Sequence, residues 1–359
     1  MTNIKRYNIF ILLSTIARNV VEIFSSVLLY KFGYSIKEIL IFFTILYLVG
    51  AITSIITIYL TNILKSKYIL IISSIIFSGS FYFMSVMNKT FLNLIIFSII
   101  YSVGCYSYHS LRHYFAIKSI NGNKRNGIGN ILIYSNIGII IASIILPYIQ
   151  NKFGALSLSI IVIIISLISL IPLFKLKIKE DTSKIKLQKI EKNKLTFFVL
   201  EQAKVINLIL QPLYLYLFIN NKIEYIGIFN VVMGISSCIF VYFFVRKVDD
   251  IKYFKYLNIL FCIFLLLKLN VTNKYLILLI GLFEGLGVKM FEVVSSENIY
   301  NIKKDTNVKG YIITTEIIFC LVRSIFCFIG ILINDIKIIL YTSILLIFLT
   351  GFIRRKTVK

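Results

Sequence analysis

The side chains that could do chemistry in this chain are ionisable groups set inside apolar runs. Arg18 and Glu22 share one run. His109, Arg112 and His113 share a second, and Glu201 and Lys204 a third. Glu284, Lys289 and Glu292 lie in a fourth, and Glu316 and Arg323 in a fifth. On insertion scales a charge at the centre of a membrane helix costs about 2.5–3.5 kcal/mol, so such a group faces protein or water and marks a substrate path or a proton relay. Spacing sorts them onto helix faces. Arg18 and Glu22 are i,i+4, Lys289 and Glu292 i,i+3, and His109 and His113 i,i+4 with Arg112 adjacent. Glu284 falls two turns before Glu292, and Arg323 two turns after Glu316, each pair on one face. Glu22, Glu284 and Glu292 are candidate proton carriers, as are His109 and His113, because imidazole titrates near neutral pH. Arg112 and Lys289 are candidates to hold an anion or to set carboxylate protonation. Acids and bases nearly cancel, so the set gives no sign for a substrate's charge. Satisfied interhelical pairs are the purely structural alternative. Confinement of the charges to five runs points instead to one central polar cavity. Lys268, in another run, lies near enough to its end to snorkel to the interface.

The elements that must position these groups are membrane helices. With 58% hydrophobic residues and a mean hydropathy of +0.90, the chain exceeds the roughly 45–50% apolar content of soluble domains. Twelve spans are expected, at 7–30, 36–63, 68–87, 91–117, 127–149, 155–174, 196–219, 224–245, 253–270, 274–298, 310–333 and 336–353. The net charge of +24 resides mostly in alternate connections. Lys5-Arg6, Lys65 with Lys67, Lys124-Arg125, the 175–195 stretch, Arg246-Lys247, Lys303-Lys304 and Arg354-Arg355-Lys356 then share the cytoplasmic side, with both termini. No basic patch belongs to a soluble module, so nucleic acid is not an expected partner. The five cysteines fall in apolar spans without metal-ligand spacing and are expected as packing residues; no metal and no cofactor is expected. The first apolar run is too long and too charged for a cleavable signal peptide.

Residues 175–195 form the one long connection, expected as a cytoplasmic linker, with a short surface helix through Ile178, Ile185, Leu187 and Ile190 as the alternative. It divides the chain into a six-span half at 1–174 and a second at 196–359. Weak internal symmetry supports two parallel halves: Gly104 precedes Arg112 by eight positions, and Gly281 precedes Lys289 by eight.

At this point the chain resembles the major facilitator superfamily over essentially its whole length. The resemblance rests on the twelve-span pattern, on the arginine of span 4 and on the Asn123-Lys124-Arg125-Asn126-Gly127 turn before span 5. It implies that spans 1, 4, 7 and 10 line a central pathway, that 2, 5, 8 and 11 flank the seam between halves, and that 3, 6, 9 and 12 face lipid. It also implies a monomer. The family's loop between spans 2 and 3 keeps only Asn62 and Lys67 of its charged pattern. In span 5, Gly129 and Gly138 have the spacing of the antiporter motif, but Ala142 and Ser143 stand where it has Gly-Pro, and Pro147 comes late.

The functional expectation is a secondary active transporter in the cytoplasmic membrane of a bacterium, moving a small molecule by alternating access. A proton or other ion is the expected coupling partner, and efflux is favoured over uptake. Its pathway residues are Arg18, Glu22, His109, Arg112, His113, Glu284, Lys289, Glu292, Glu316 and Arg323. The rival is a membrane-embedded transferase using His109 or His113 as general base. A receptor or scaffold without transport is the third reading.

Overall fold

The computed structural model describes residues 3–120, 124–176, 185–245, 254–300 and 307–353. They form eleven α-helices: α1 (Asn3–Lys31), α2 (Ile36–Leu60), α3 (Ser66–Val86), α4 (Phe91–Ser119), α5 (Lys124–Phe174), α6 (Lys192–Phe218), α7 (Ile223–Phe240), α8 (Phe254–Asn270), α9 (Lys274–Tyr300), α10 (Val308–Ile333) and α11 (Ile336–Thr350). A π-helical turn, Val241–Val245, extends α7.

The expected twelve separate helices become eleven because spans 5 and 6 run together. At 51 residues, α5 would be about 76 Å long if straight, more than twice the roughly 30 Å hydrocarbon thickness. It is not straight: Gly154, at φ 79° and ψ 177°, breaks it into two arms. A residue with a Cβ is strained at that φ, which makes glycine the natural breaking point.

Among the described residues, seven helices are long and apolar enough to cross a membrane: α1 to α5, α7 with its extension, and α10. The others miss for physical reasons. With 17 and 15 residues, α8 and α11 are short. The 27-residue helices α6 and α9 are long enough but carry Glu201, Lys204, Glu284, Lys289 and Glu292 in their interiors. Large apolar side chains such as Ile52, Ile63, Leu92, Ile144, Ile171 and Leu332 point outward. In water so broad an apolar surface would aggregate; in a bilayer it is the lipid face of a multi-pass membrane protein.

Helix starts follow the polar residues between the apolar runs. Ser35 and Glu38 form a reciprocal capping box at the start of α2. Thr90 caps α4, Asn307 caps α10, and Asp335 accepts from the amides of Lys337 and Ile338 at the start of α11. The helices before and after the 177–184 stretch meet chiefly along two seams, α2 against α10 and α5 against α7, with α1 against α6 between them. Gly138 of α5 lets that helix close on α1: a Cβ there would lie 2.8 Å from the Leu12 carbonyl oxygen and 2.9 Å from Thr15.

Residues 185–190 are not helical, so no surface helix runs through Ile185, Leu187 and Ile190. Ile190 is buried, and the amide of Gln188 donates to the Thr314 hydroxyl at 3.3 Å, so this stretch lies against α10. Ile178, the Asn121-Gly122-Asn123 turn, Arg246-Lys247, Lys303-Lys304 and Arg354-Arg355-Lys356 lie outside the described residues, as do the side chains of Lys124 and Arg125.

Candidate functional site

A cavity of about 440 Å³ opens in the middle of the bundle, within the roughly 300–1,000 Å³ typical of small-molecule sites. Its walls come from α1, α2, α4, the first arm of α5, α6, α7, α9 and α10; α3, α8, α11 and the second arm of α5 contribute nothing. Arg18, Glu22, His109, Arg112, His113, Lys289, Glu292, Glu316 and Arg323 all line it, joined by Glu201 and Lys204.

The charges are arranged in pairs, with two exceptions. Arg18 Nε lies 3.3 Å from Glu22 Oε1. Its guanidinium is sandwiched 4.0 Å from the Phe77 ring centre and 3.9 Å from that of Tyr108, and its Nη2 donates to the Cys105 carbonyl. His109 Nε2 approaches the same Glu22 oxygen at 3.6 Å. Lys204 pairs with Glu201 at 3.3 Å, and Lys289 with Glu292. His113 ties three helices together: Nε2 lies 3.3 Å from Glu316 Oε1 of α10, and Nδ1 lies 2.9 Å from the Tyr300 hydroxyl of α9. An imidazole with its proton on Nε2 satisfies both contacts, donating to the carboxylate and accepting from the phenol.

Arg323 and Arg112 are the exceptions. Arg323 Nε donates to Gln202 Oε1 at 2.7 Å and Nη1 to the Tyr106 hydroxyl at 3.4 Å, both neutral acceptors. Glu316 and Arg323 share a face, as their spacing predicts, but each takes its partners from other helices. Arg112 Nε is buried with no hydrogen-bond partner. Neither guanidinium makes an ion pair with a carboxylate among the described residues. Asn136 Nδ2, Asn230 Nδ2 and Gln211 Oε1, on residues that also line the cavity, are buried polar atoms without partners. Native interiors leave few such atoms, and those around a cavity are available to a ligand or to water.

Glu284 lies elsewhere. It is fully buried, and both of its carboxylate oxygens accept from Lys268 Nζ at 2.8 Å. The pair sits where α7, α8 and α9 meet, with Lys268 5.9 Å from the Phe229 ring. The expectation that Lys268 snorkels outward, and that Glu284 shares the cavity face with Glu292, is therefore corrected. A fully buried ammonium needs a fully buried carboxylate, and each removes the other from its expected place.

Carboxylate, thiol and imidazole atoms of Glu22, Cys105 and His109 lie within 4.8 Å of one another, a grouping that could in principle hold a metal. Arg18 already contacts Glu22 and the Cys105 carbonyl. Its fixed positive charge opposes a cation there, so we assign no metal to these residues.

No family model matches the sequence, and no curated protein matches it. Among solved structures, the crystal structure of the human organic anion transporter MFSD10 (TETRAN) is similar to the chain, with a TM-score of 0.72 over 98% of both chains. The fold is that of the major facilitator superfamily. At 11% identity the likeness is one of architecture. Within the major facilitator fold, the cavity walls match the expected division of labour: α1, α4, α6 and α9 supply most of the charge, α2, α5, α7 and α10 complete the lining, and α3, α8 and α11 stand outside.

Gln202, Tyr106, Tyr300, Asn136 and Gln211 were not singled out by the sequence. All are uncharged, and neither hydropathy nor charge counting marks an uncharged polar residue in an apolar run. The available signal was helical phase: Gln202 follows Glu201, and Tyr106 lies three positions before His109.

Proposed function

We propose that this chain is a secondary active transporter that moves a small molecule across the membrane by alternating access, coupled to protons. In this reading the two arms of α5 are two crossings, giving twelve. Residues 1–174 and 196–359 are halves that rock about the cavity, with 175–195 as their tether. The observation that carries the reading is a charged, drug-sized cavity enclosed between helices from both ends of the chain, inside a major facilitator fold.

The proton-carrying groups are the carboxylate–imidazole pairs Glu22–His109 and Glu316–His113. The second pair spans α4 and α10 and, through Tyr300, α9. Moving a proton onto Glu316 weakens a contact that holds the seam closed, which is the differential interaction that coupling requires. Export is the direction favoured by the aromatic lining of Phe43, Tyr47, Tyr106, Tyr108 and Phe319, which suits a cargo that partitions from the membrane or cytoplasm.

The test compares small molecules inside and outside cells producing wild type or Glu316→Gln. A compound redistributed by wild type alone is the expected result, and identical distributions would sink the reading. The proximity of Glu22, Cys105 and His109 favours a second reading, a membrane-embedded transferase with Cys105 as nucleophile and His109 as base. A covalent product made by wild type and abolished in both Cys105→Ser and His109→Ala would establish it; transport retained in Cys105→Ser would remove it.

A further inference from the structure

The cavity's charge does not balance once its pairs are assigned. Glu22 is held by Arg18 and His109, Glu201 by Lys204, Glu292 by Lys289, and Glu316 by His113. Arg112 and Arg323 remain. One comes from α4 and the other from α10, so they approach from opposite ends of the chain. Both line the same cavity: Arg112 precedes His113, whose ring reaches Glu316 of α10 at 3.3 Å, and Arg323 follows Glu316 by two turns on that helix. Arg323 is oriented by Gln202 and Tyr106 without being neutralised. Arg112 keeps its buried Nε free. With the imidazoles neutral, the lining sets the five fixed cations Arg18, Arg112, Lys204, Lys289 and Arg323 against the four carboxylates Glu22, Glu201, Glu292 and Glu316, so one positive charge in this low-dielectric cavity lacks a counter-anion. A ligand that supplies the missing negative charge relieves that cost.

We propose that Arg112 and Arg323 bind the anionic head of an organic acid, a carboxylate or sulfonate, while its aromatic or apolar body lies against Tyr47, Tyr106 and Phe319. This rests on the transport reading above and names the cargo's class. Guanidinium suits the role because its planar fork matches the oxygens of such a head and it stays charged at every physiological pH. The rings suit the body: Tyr47 and Phe319 stand 5.7 and 5.6 Å from the Arg323 guanidinium, so one ligand can meet cation and ring together. An anion bridging α4 and α10 binds more tightly when the seam is closed, which is how a cargo drives the conformational change that carries it. An inside-negative membrane potential pushes such an anion outward, in line with export.

The experiment uses the purified full chain in lipid nanodiscs. Naphthoate is titrated against naphthylmethylammonium, its cationic counterpart, with thermal stability and ligand affinity as readouts. The expected result is that naphthoate binds and stabilises while the ammonium does not. Arg112→Gln and Arg323→Gln each weaken naphthoate binding by about tenfold or more, the scale of a lost charge-assisted hydrogen bond. Arg112→Lys and Arg323→Lys keep the charge, guard against a folding defect and retain intermediate affinity. Preference for the ammonium, no naphthoate binding at millimolar concentration, or unchanged affinity in both glutamine variants would each overturn the proposal. Flux in proteoliposomes separates it from the transport reading: naphthoate bound but never carried overturns transport and leaves the anion site, whereas protein-dependent efflux of a cation without naphthoate binding overturns the anion site alone.

Discussion

Two places in this bundle bury basic groups, and they solve the problem in opposite ways. At the junction of α7, α8 and α9, Lys268 and Glu284 are each about 1% exposed and bonded to each other. In the central cavity, Arg112 and Arg323 make no ion pair with a carboxylate among the described residues. The first arrangement is complete and leaves nothing for a ligand to add. The second is incomplete and gains from a ligand that brings charge. A buried basic residue therefore marks a ligand site when its acidic partner is missing, whereas a fully buried lysine–carboxylate pair marks a fixed helix contact.

The largest expected effect separates these two cases. Glu284→Gln or Lys268→Met leaves one charge buried and uncompensated, a change that typically costs about 3–5 kcal/mol. Each single variant is expected to lose most of its monodisperse yield and to melt far below wild type. The double variant Lys268→Met, Glu284→Leu removes both charges and recovers most of the stability. Arg112→Gln and Arg323→Gln are expected to do the reverse, with yield and melting within about 1 kcal/mol of wild type and flux lost. If Glu284→Gln is stable and transport-dead, the pair belongs to the coupling machinery and the comparison fails.

A smaller effect concerns protons. Glu316 lies 3.3 Å from His113 of α4, which also contacts Tyr300 of α9, and it shares the cavity with Arg112 of α4 and Arg323 of α10, with Cys320 one turn along its own helix. Ionised Glu316 competes with a cargo anion for the two guanidinium groups. Protonated Glu316 does not compete, so naphthoate affinity is expected to rise as pH falls, by at most about tenfold per pH unit for one linked proton. Glu316→Gln mimics the protonated form. It should bind naphthoate at neutral pH as tightly as wild type does in acid, with a flatter pH profile. A profile as steep as wild type's would move the linked proton to the Glu22–His109 pair.

The fold was legible because it is written in quantities that sum over many residues. Apolar runs long enough to cross a bilayer set the helices nearly where they lie. Gly154 falls in the gap between the expected spans 127–149 and 155–174, but the helix continues up to it, because Pro147 sits in α5 without ending it. The cavity's charged residues were legible for the same reason that made Glu284 misleading. An acid in an apolar span announces that it needs a partner and does not say which. Lys268 lies 16 positions from Glu284 on a different helix, and no helical period connects them. The same limit hid the pairing of His113 with Glu316 and Tyr300, which depends on how three helices pack.

Arg18 supplies the finest test of the comparison, because it lines the cavity as Arg112 and Arg323 do yet is satisfied as Lys268 is. It holds Glu22, donates to the Cys105 carbonyl and lies between the rings of Phe77 and Tyr108. If completeness of partners, rather than position in the cavity, decides function, Arg18 should act as a structural cation. Arg18→Lys keeps a charge for Glu22 but forfeits the stacked planar face and the fork of donors, since the two side chains are not equivalent at a stacked site. The expected loss is about 1–2 kcal/mol of stability, the scale of a desolvated cation–ring contact, with naphthoate affinity within about twofold of wild type. Melting curves and titrations on the same sample measure both. Unchanged melting with a large loss of affinity would place Arg18 beside Arg112 and Arg323 as a third cation of the anion site. Location would then outweigh pairing as the guide to which buried charges work.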